Sequence, residues 1–149
     1  MRIITLLFTL LFVAAAAGAA IAAESASIRA ILIVASNQKG GSDPRLAPYE
    51  PTLRRILPRG FESFRFVGEG SSTLAIPGRA VVTLAQGHRL ELEGEKSEAR
   101  RVRLNVRWLN GRNVLMEQPV SVARGTPAVL GGPAWGDKGE VCAVIVIAN

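Results

Sequence analysis

HRLELE at residues 88–93 and RVRLNVRW at residues 101–108 decide the class of this fold. In the first stretch Leu90 and Leu92 alternate with Arg89, Glu91 and Glu93. In the second, Val102, Leu104, Val106 and Trp108 alternate with Arg101, Arg103, Asn105 and Arg107. A period of two with one apolar and one charged set is the mark of a strand packed on one face and wet on the other. Joined through Gly94 to Arg100, the two stretches make a hairpin. Pairing Glu93 with Arg101 also pairs Glu91 with Arg103, and each opposite-charge pair adds roughly 0.2–1 kcal/mol.

The same pattern runs outward in both directions. Asn110-Gly111 marks a further hairpin turn into Val114 to Val122. A two-residue turn there puts Leu115 on the core side, and a three-residue loop puts Val114 and Met116 there. The longer loop is expected, because it buries two apolar residues instead of one. Arg124-Gly125 turns the chain, Pro127 to Leu130 is a short strand, and Gly131-Gly132-Pro133 breaks it. Glu140 to Ala148 is apolar on both alternating sets, which predicts a strand buried on both faces.

Towards the N-terminus, Ile28 to Ala35 (IRAILIVA) has the same doubly apolar pattern. It reads as a central strand and a candidate neighbour of the last one. Phe61 to Val67, Ser72 to Ile76 and Arg79 to Ala85 read as three more strands, separated by a turn at Gly68-Glu69-Gly70 and a tight turn at Pro77-Gly78. Between the glycine-rich loop Ser36 to Ser42 and Pro58 lies the one helix. Asp43 is its N-cap and Pro44 its first residue, while Leu46, Tyr49, Leu53, Ile56 and Leu57 recur at helical spacing. Pro48 and Pro51 restrict its regular part to the second half. Nine candidate strands and one helix predict a mainly β domain, a two-layer β-sandwich or partly open barrel of about eight or nine strands with one capping helix.

Residues 1–23 are an address rather than part of this domain. Arg2 is a short positive n-region, Ile3 to Val13 is apolar except for Thr5 and Thr9, and Ala14 to Ala23 is built almost wholly of small residues. That sequence predicts a signal peptide cut after Ala22 or Ala23, following the small-x-small pattern Ala20-Ile21-Ala22. Export to the periplasm or beyond follows, with residues 24–149 as the single mature domain and no transmembrane segment left in it. The alternative is an N-terminal membrane anchor, since Ile3 to Ala23 is uncharged and long enough to span a bilayer. A lone cysteine, Cys142, allows no internal disulfide and is expected in the core.

The mature chain carries 17 basic and 12 acidic residues, a moderate excess that favours anionic partners. Arg101, Arg103 and Arg107, next to Arg100, form the one basic surface that suggests a partner, with half its charge neutralised across the hairpin. No nucleic-acid motif accompanies it, and the six mature aromatics (Tyr49, Phe61, Phe64, Phe66, Trp108, Trp135) supply no stacking platform, at least three being core candidates. Oligomeric state is left open.

Catalytic signatures are sparse. His88 is the only histidine and, beside Gly87 at a strand start, reads as a surface or turn residue. A Cys142/His88 pair needs a reactive thiol in what reads as a buried strand. No G-x-S-x-G elbow is present, and Gly68-Glu69-Gly70-Ser71 lacks the lysine and helix of a phosphate loop. Glu91, Glu93 and Glu95 alternate on one face opposite arginines, and no metal-ligand spacing or cofactor motif occurs. Asp43, Glu62, Asp137 and Glu140 are the carboxylates from which a hydrolase would have to draw an acid–base pair.

From Asp43 onward the order DPRLAPYEPTLRRIL, FESFRF, VRLNVRWLNG, VARGTPAVLGGP and a terminal apolar strand resembles a group of small, exported, uncharacterised bacterial β-rich proteins. That resemblance implies no activity. The segment VSVARGTPAVLGGPAWGDKGEVCAVIVIAN is also similar to the strand–glycine–strand passage of outer-membrane secretins, with Pro133 where that family has an apolar residue and the other secretin regions absent. It implies a shared turn solution and no functional residue. The expected function is that of a non-enzymatic exported β-domain binding another envelope component or assisting envelope assembly. The alternatives are a small carboxylate hydrolase and an anion-binding module.

Overall fold

Two alternating sets of side chains on each central strand require two surfaces to bury them, and the architecture supplies both. The computed structural model describes residues 24–149, so the signal-peptide reading lies outside the described residues. One antiparallel sheet has the order β2-β1-β8-β7 and the other β3-β4-β5-β6. The strands are β1 (Glu24–Ser36), β2 (Ser63–Ile76), β3 (Gly78–Thr83), β4 (His88–Ser97), β5 (Arg101–Asn110), β6 (Asn113–Ala123), β7 (Ala128–Trp135) and β8 (Glu140–Ala148). The fold is a β-sandwich, the first of the two architectures expected, with one helix on an outer face.

β1 and β8 are central neighbours, running antiparallel from Ile28 opposite Ala148 to Ala35 opposite Val141. Ala26, Ile28, Ala30 and Leu32 of β1 face the other sheet, together with Cys142, Val144 and Val146 of β8. The opposite set (Ile31, Ile33 and Ala35 with Ala143, Ile145 and Ile147) faces outward and is covered by Leu46, Leu53 and Leu57. Leu46 comes from a 3₁₀ segment at Pro44–Tyr49, Leu53 from helix α1 (Glu50–Ile56), and Leu57 is the residue that caps the end of that helix. The Asp43 carboxylate caps the start by accepting from the Arg45 backbone N–H at 2.9 Å, and the regular helix occupies only the second half, where the prolines allow it.

Four expectations are corrected. Gly68-Glu69-Gly70 does not turn the chain: the strands expected at Phe61–Val67 and Ser72–Ile76 merge, from Ser63 on, into one long strand, β2. Its register against β1 slips by one residue between Leu32 and Ile33, so Leu32 faces Gly68 and Ile33 faces Phe66. The glycines permit close approach of β3. A Cβ on Gly68 would lie 2.5 Å from the Ala85 Cβ, and one on Gly70 would lie 2.2 Å from the Thr83 carbonyl oxygen. Among the described residues the nine candidate strands thus become eight, within the expected eight or nine.

Pro77-Gly78 does not join a hairpin either. Ile76 pairs with Glu24 in one sheet and Gly78 with Gly94 in the other, so this dipeptide carries the chain across the sandwich.

The β4–β5 hairpin keeps its predicted faces but changes its partners. Glu91 opposes Arg107 and Glu93 opposes Asn105; past a bulge between Gly94 and Lys96, Arg103 opposes Lys96. The strands run on to a tight turn, closed by the Glu98 N–H donating to the Arg101 carbonyl at 2.8 Å. Up to Gly94 the pairing is displaced by four residues relative to the expected register, and the bulge adds one more beyond it. An even displacement preserves which side chains face the core, and Leu90, Leu92, Val102, Leu104, Val106 and Trp108 are all buried.

In the β5–β6 hairpin Asn110 opposes Asn113 around a two-residue turn, and a bulge at Leu115 then sets Met116 opposite Trp108. Met116 packs on the core as expected. Val114, expected inside, is 45 % exposed. The turn is thus the shorter of the two weighed, and Leu115, which that turn was to bury, packs on the core together with Met116.

Candidate functional site

β5 presents Arg101, Arg103 and Arg107 to solvent on one face, as alternation requires. Their surroundings differ along the strand. Arg107 lies 3.6 Å from Glu91 and 4.0 Å from Glu117, and Glu91 also meets Arg89 at 3.5 Å. This end is a balanced ion-pair lattice over a shallow cleft of about 260 Å³. At the other end Arg101 donates to the Ser121 hydroxyl at 2.9 Å and to the Ser121 carbonyl at 3.3 Å. Among the described residues neither Arg101 nor Arg103 has a carboxylate within ion-pair distance. Arg124 joins them: its backbone N–H donates to the Arg100 carbonyl at 2.8 Å and its guanidinium to the Ser97 hydroxyl at 2.8 Å. Glu98 stands nearby, paired with Lys96 at 3.5 Å.

The structure therefore divides the expected basic surface. Arg107 is neutralised, and by both neighbouring strands rather than by the hairpin partner alone. Arg101 and Arg103 stand outside this ion-pair lattice.

The four candidate carboxylates do not gather. Asp43 and Glu140 border one depression of about 380 Å³ beside the loop at residues 37–43, without Glu62 or Asp137. Asp43 is gripped by the Arg45 guanidinium through bonds of 2.7 to 3.3 Å, which holds its carboxyl below the usual range. Glu140 meets Arg65 at 3.3 Å. A general acid needs the opposite tuning, a carboxyl kept protonated near neutrality. Among the described residues no three His, Cys, Asp or Glu side chains converge as metal ligands.

His88 is the main residue misplaced by the sequence reading. It is buried, 4 % exposed. Its Nδ1 accepts the Trp108 indole N–H at 3.0 Å, and its ring stacks on Trp135 with centroids 5.5 Å apart and planes 25° apart. Burial lowers its pKa. The signal was present: His88, Leu90 and Leu92 share one face of HRLELE. Cys142 is buried as expected. Its Sγ donates to the Pro133 carbonyl at 3.3 Å, and burial pushes the thiol up to about 11. Cys142 and His88 do border one depression, yet the sulfur is a protonated donor rather than a thiolate nucleophile.

No protein-family model, curated protein or solved structure matches this chain. Function must be read from its own residues. Among the described residues no helix is long and apolar enough to cross a membrane.

Proposed function

We propose that this chain is a non-enzymatic exported β-domain that binds an acidic component of the cell envelope through the Arg101–Arg103 end of β5. The observation that carries the reading is the contrast along one strand face. Arg107 is satisfied by Glu91 and Glu117, while among the described residues Arg101 and Arg103 project from the sheet with no carboxylate within ion-pair distance, Glu95 bordering the depression beside Arg103 without pairing to it. An arginine fork held on a strand and flanked by Arg100 and Arg124 is suited to bidentate capture of carboxylate or phosphate. The export reading of residues 1–23 places such a partner in the envelope.

Binding of the purified mature domain to detergent-solubilised envelope fractions tests this. Retention is expected to fall as salt rises from about 50 to 300 mM, where screening shortens the reach of exposed charges. The double variant Arg101→Glu/Arg103→Glu is expected to lose it, and Arg107→Glu to retain most of it. Retention indifferent to salt and to the double reversal would refute the proposal.

A further inference from the structure

A second site lies at the other end of β5. The β3–β4 turn, the β5–β6 turn and the end of β7 enclose a depression of about 380 Å³, bordered by Gln86, His88, Asn110, Leu115, Trp135 and Cys142 among others. None of its lining residues is charged. Each of the other four depressions described carries both cations and carboxylates. Its polar groups are instead two side-chain amides and one imidazole.

The site is built rather than incidental. Nδ1 of His88 is an acceptor, so the neutral ring carries its proton on Nε2. Among the described residues Nε2 has no protein partner and no polar side-chain atom is sealed without one; the Nε2–H therefore opens on the depression. Trp135 covers one face of this ring. The two turns forming the rim are tied together by the Gly111 N–H donating to the Gly87 carbonyl at 3.0 Å. Arg89, outside the lining, clamps the Gly111 carbonyl at 2.7 Å. The bulge of β7 between Gly131 and Ala134 is pinned by the Cys142 bond to Pro133 and leads directly into Trp135. Bulges of this kind re-aim side chains beside binding sites. Gln86 holds a left-handed conformation at φ 56°, where asparagine or glycine is the ordinary choice.

We infer that this depression binds a neutral saccharide, a ring lying against Trp135 with its hydroxyls bonded by Asn110, Gln86 and the His88 Nε2–H. The amides offer donors and acceptors side by side, as vicinal hydroxyls do. A charged ligand finds no counter-charge among the lining side chains, the Arg89 guanidinium at the rim being held on the Gly111 carbonyl. A peptide adding as a strand finds poor edges, because β6 carries Pro119 and the Leu115 bulge while β7 carries Pro133 and its own bulge. The inference does not rest on the arginine end of β5, which is nine residues and roughly 30 Å of strand away.

A neutral-glycan array, followed by tryptophan fluorescence titrations with chitotriose, cellotriose and maltotriose, tests it. Saturable binding to a neutral glycan is expected, insensitive to salt and unchanged by Arg101→Glu/Arg103→Glu. Asn110→Ala and Gln86→Gly, both at exposed positions where folding is preserved, are each expected to weaken it roughly tenfold, the worth of a hydrogen bond or two. Trp135→Ala removes the platform. Trp135→Phe keeps a smaller ring and partial affinity, and circular dichroism of both separates lost binding from lost fold. The inference is overturned by an array and titrations without response, by binding that Asn110→Ala and Gln86→Gly leave intact, or by a fluorescence response to trialanine in place of the sugars.

Discussion

Trp108 is the residue on which the interior is organised. It is fully buried, so its indole N–H must find an acceptor inside the protein, and neutral His88 is that acceptor. Protonation of His88 at Nδ1 breaks the bond and buries a charge. The folded-state pKa lies below the ordinary 6.5, so stability is complete above about pH 6.5 and declines as pH falls from there towards the folded-state value. The melting temperature is expected to drop between pH 7 and pH 5, above the range where carboxylates titrate. His88→Gln, whose amide oxygen still accepts from Trp108, is expected to flatten that drop. An equal drop in both proteins would assign the acid sensitivity elsewhere. On the other side of Trp108, a Cβ on Gly132 would sit 2.4 Å from its ring, whereas one on Gly131 meets nothing within 4 Å. Gly132→Ala is therefore expected to lose about 1–3 kcal/mol in urea unfolding, as overpacked cores do. Gly131→Ala should fall within about 0.5 kcal/mol of the parent.

At the scale of elements, the charged face of β4 and β5 explains both what alternation reveals and what it hides. Strict period-two patterning identified the buried faces of β4 and β5, because any even displacement of register leaves every side chain on its own face. It did not identify partners. The length of the hairpin loop sets those, and residues 94–97, rich in charge, extend β4 with one bulge instead of looping out. Gly68 and Gly70 misled in a related way: a glycine pair inside a strand signals close approach of another backbone as well as a turn. Neither signal separates a bulge from a loop without knowing what packs opposite. The candidate site was legible to the same degree. Arg101, Arg103 and Arg107 were placed correctly on one exposed face, but the carboxylates neutralising Arg107 depend on the true register and on β6. The Asn110–His88–Trp135 depression was not legible, since it joins two turns and a bulge distant in sequence. Glu91, between Arg89 and Arg107, gives a test of the observed pairing. Glu91→Lys is expected to destabilise the fold by no more than about 1 kcal/mol, given the partial exposure of these groups. Arg107→Glu in the same chain should restore part of that loss. Full additivity of the two changes in denaturant melts would argue against the register.

For the whole molecule, the division of labour between the sheets is the governing feature. In the β2-β1-β8-β7 sheet the central strands, β1 from Ala30 on and β8, are buried on both faces, by the other sheet and by the 3₁₀–α1 segment, while β2 and β7 stay partly exposed. The β3-β4-β5-β6 sheet leaves its outer face to solvent, and that face is balanced in charge around Arg107 and cationic around Arg101 and Arg103. The function proposed for this cationic end is recognition of an acidic envelope partner. Photo-crosslinking in intact cells tests it most directly, with the crosslinker placed at Ser121, beside Arg101, and in parallel at Arg55 on the helical side. One reproducible adduct from Ser121 that disappears in Arg101→Glu/Arg103→Glu is expected, and none from Arg55. An adduct from Arg55 alone, or a Ser121 adduct that survives the double reversal, would contradict it.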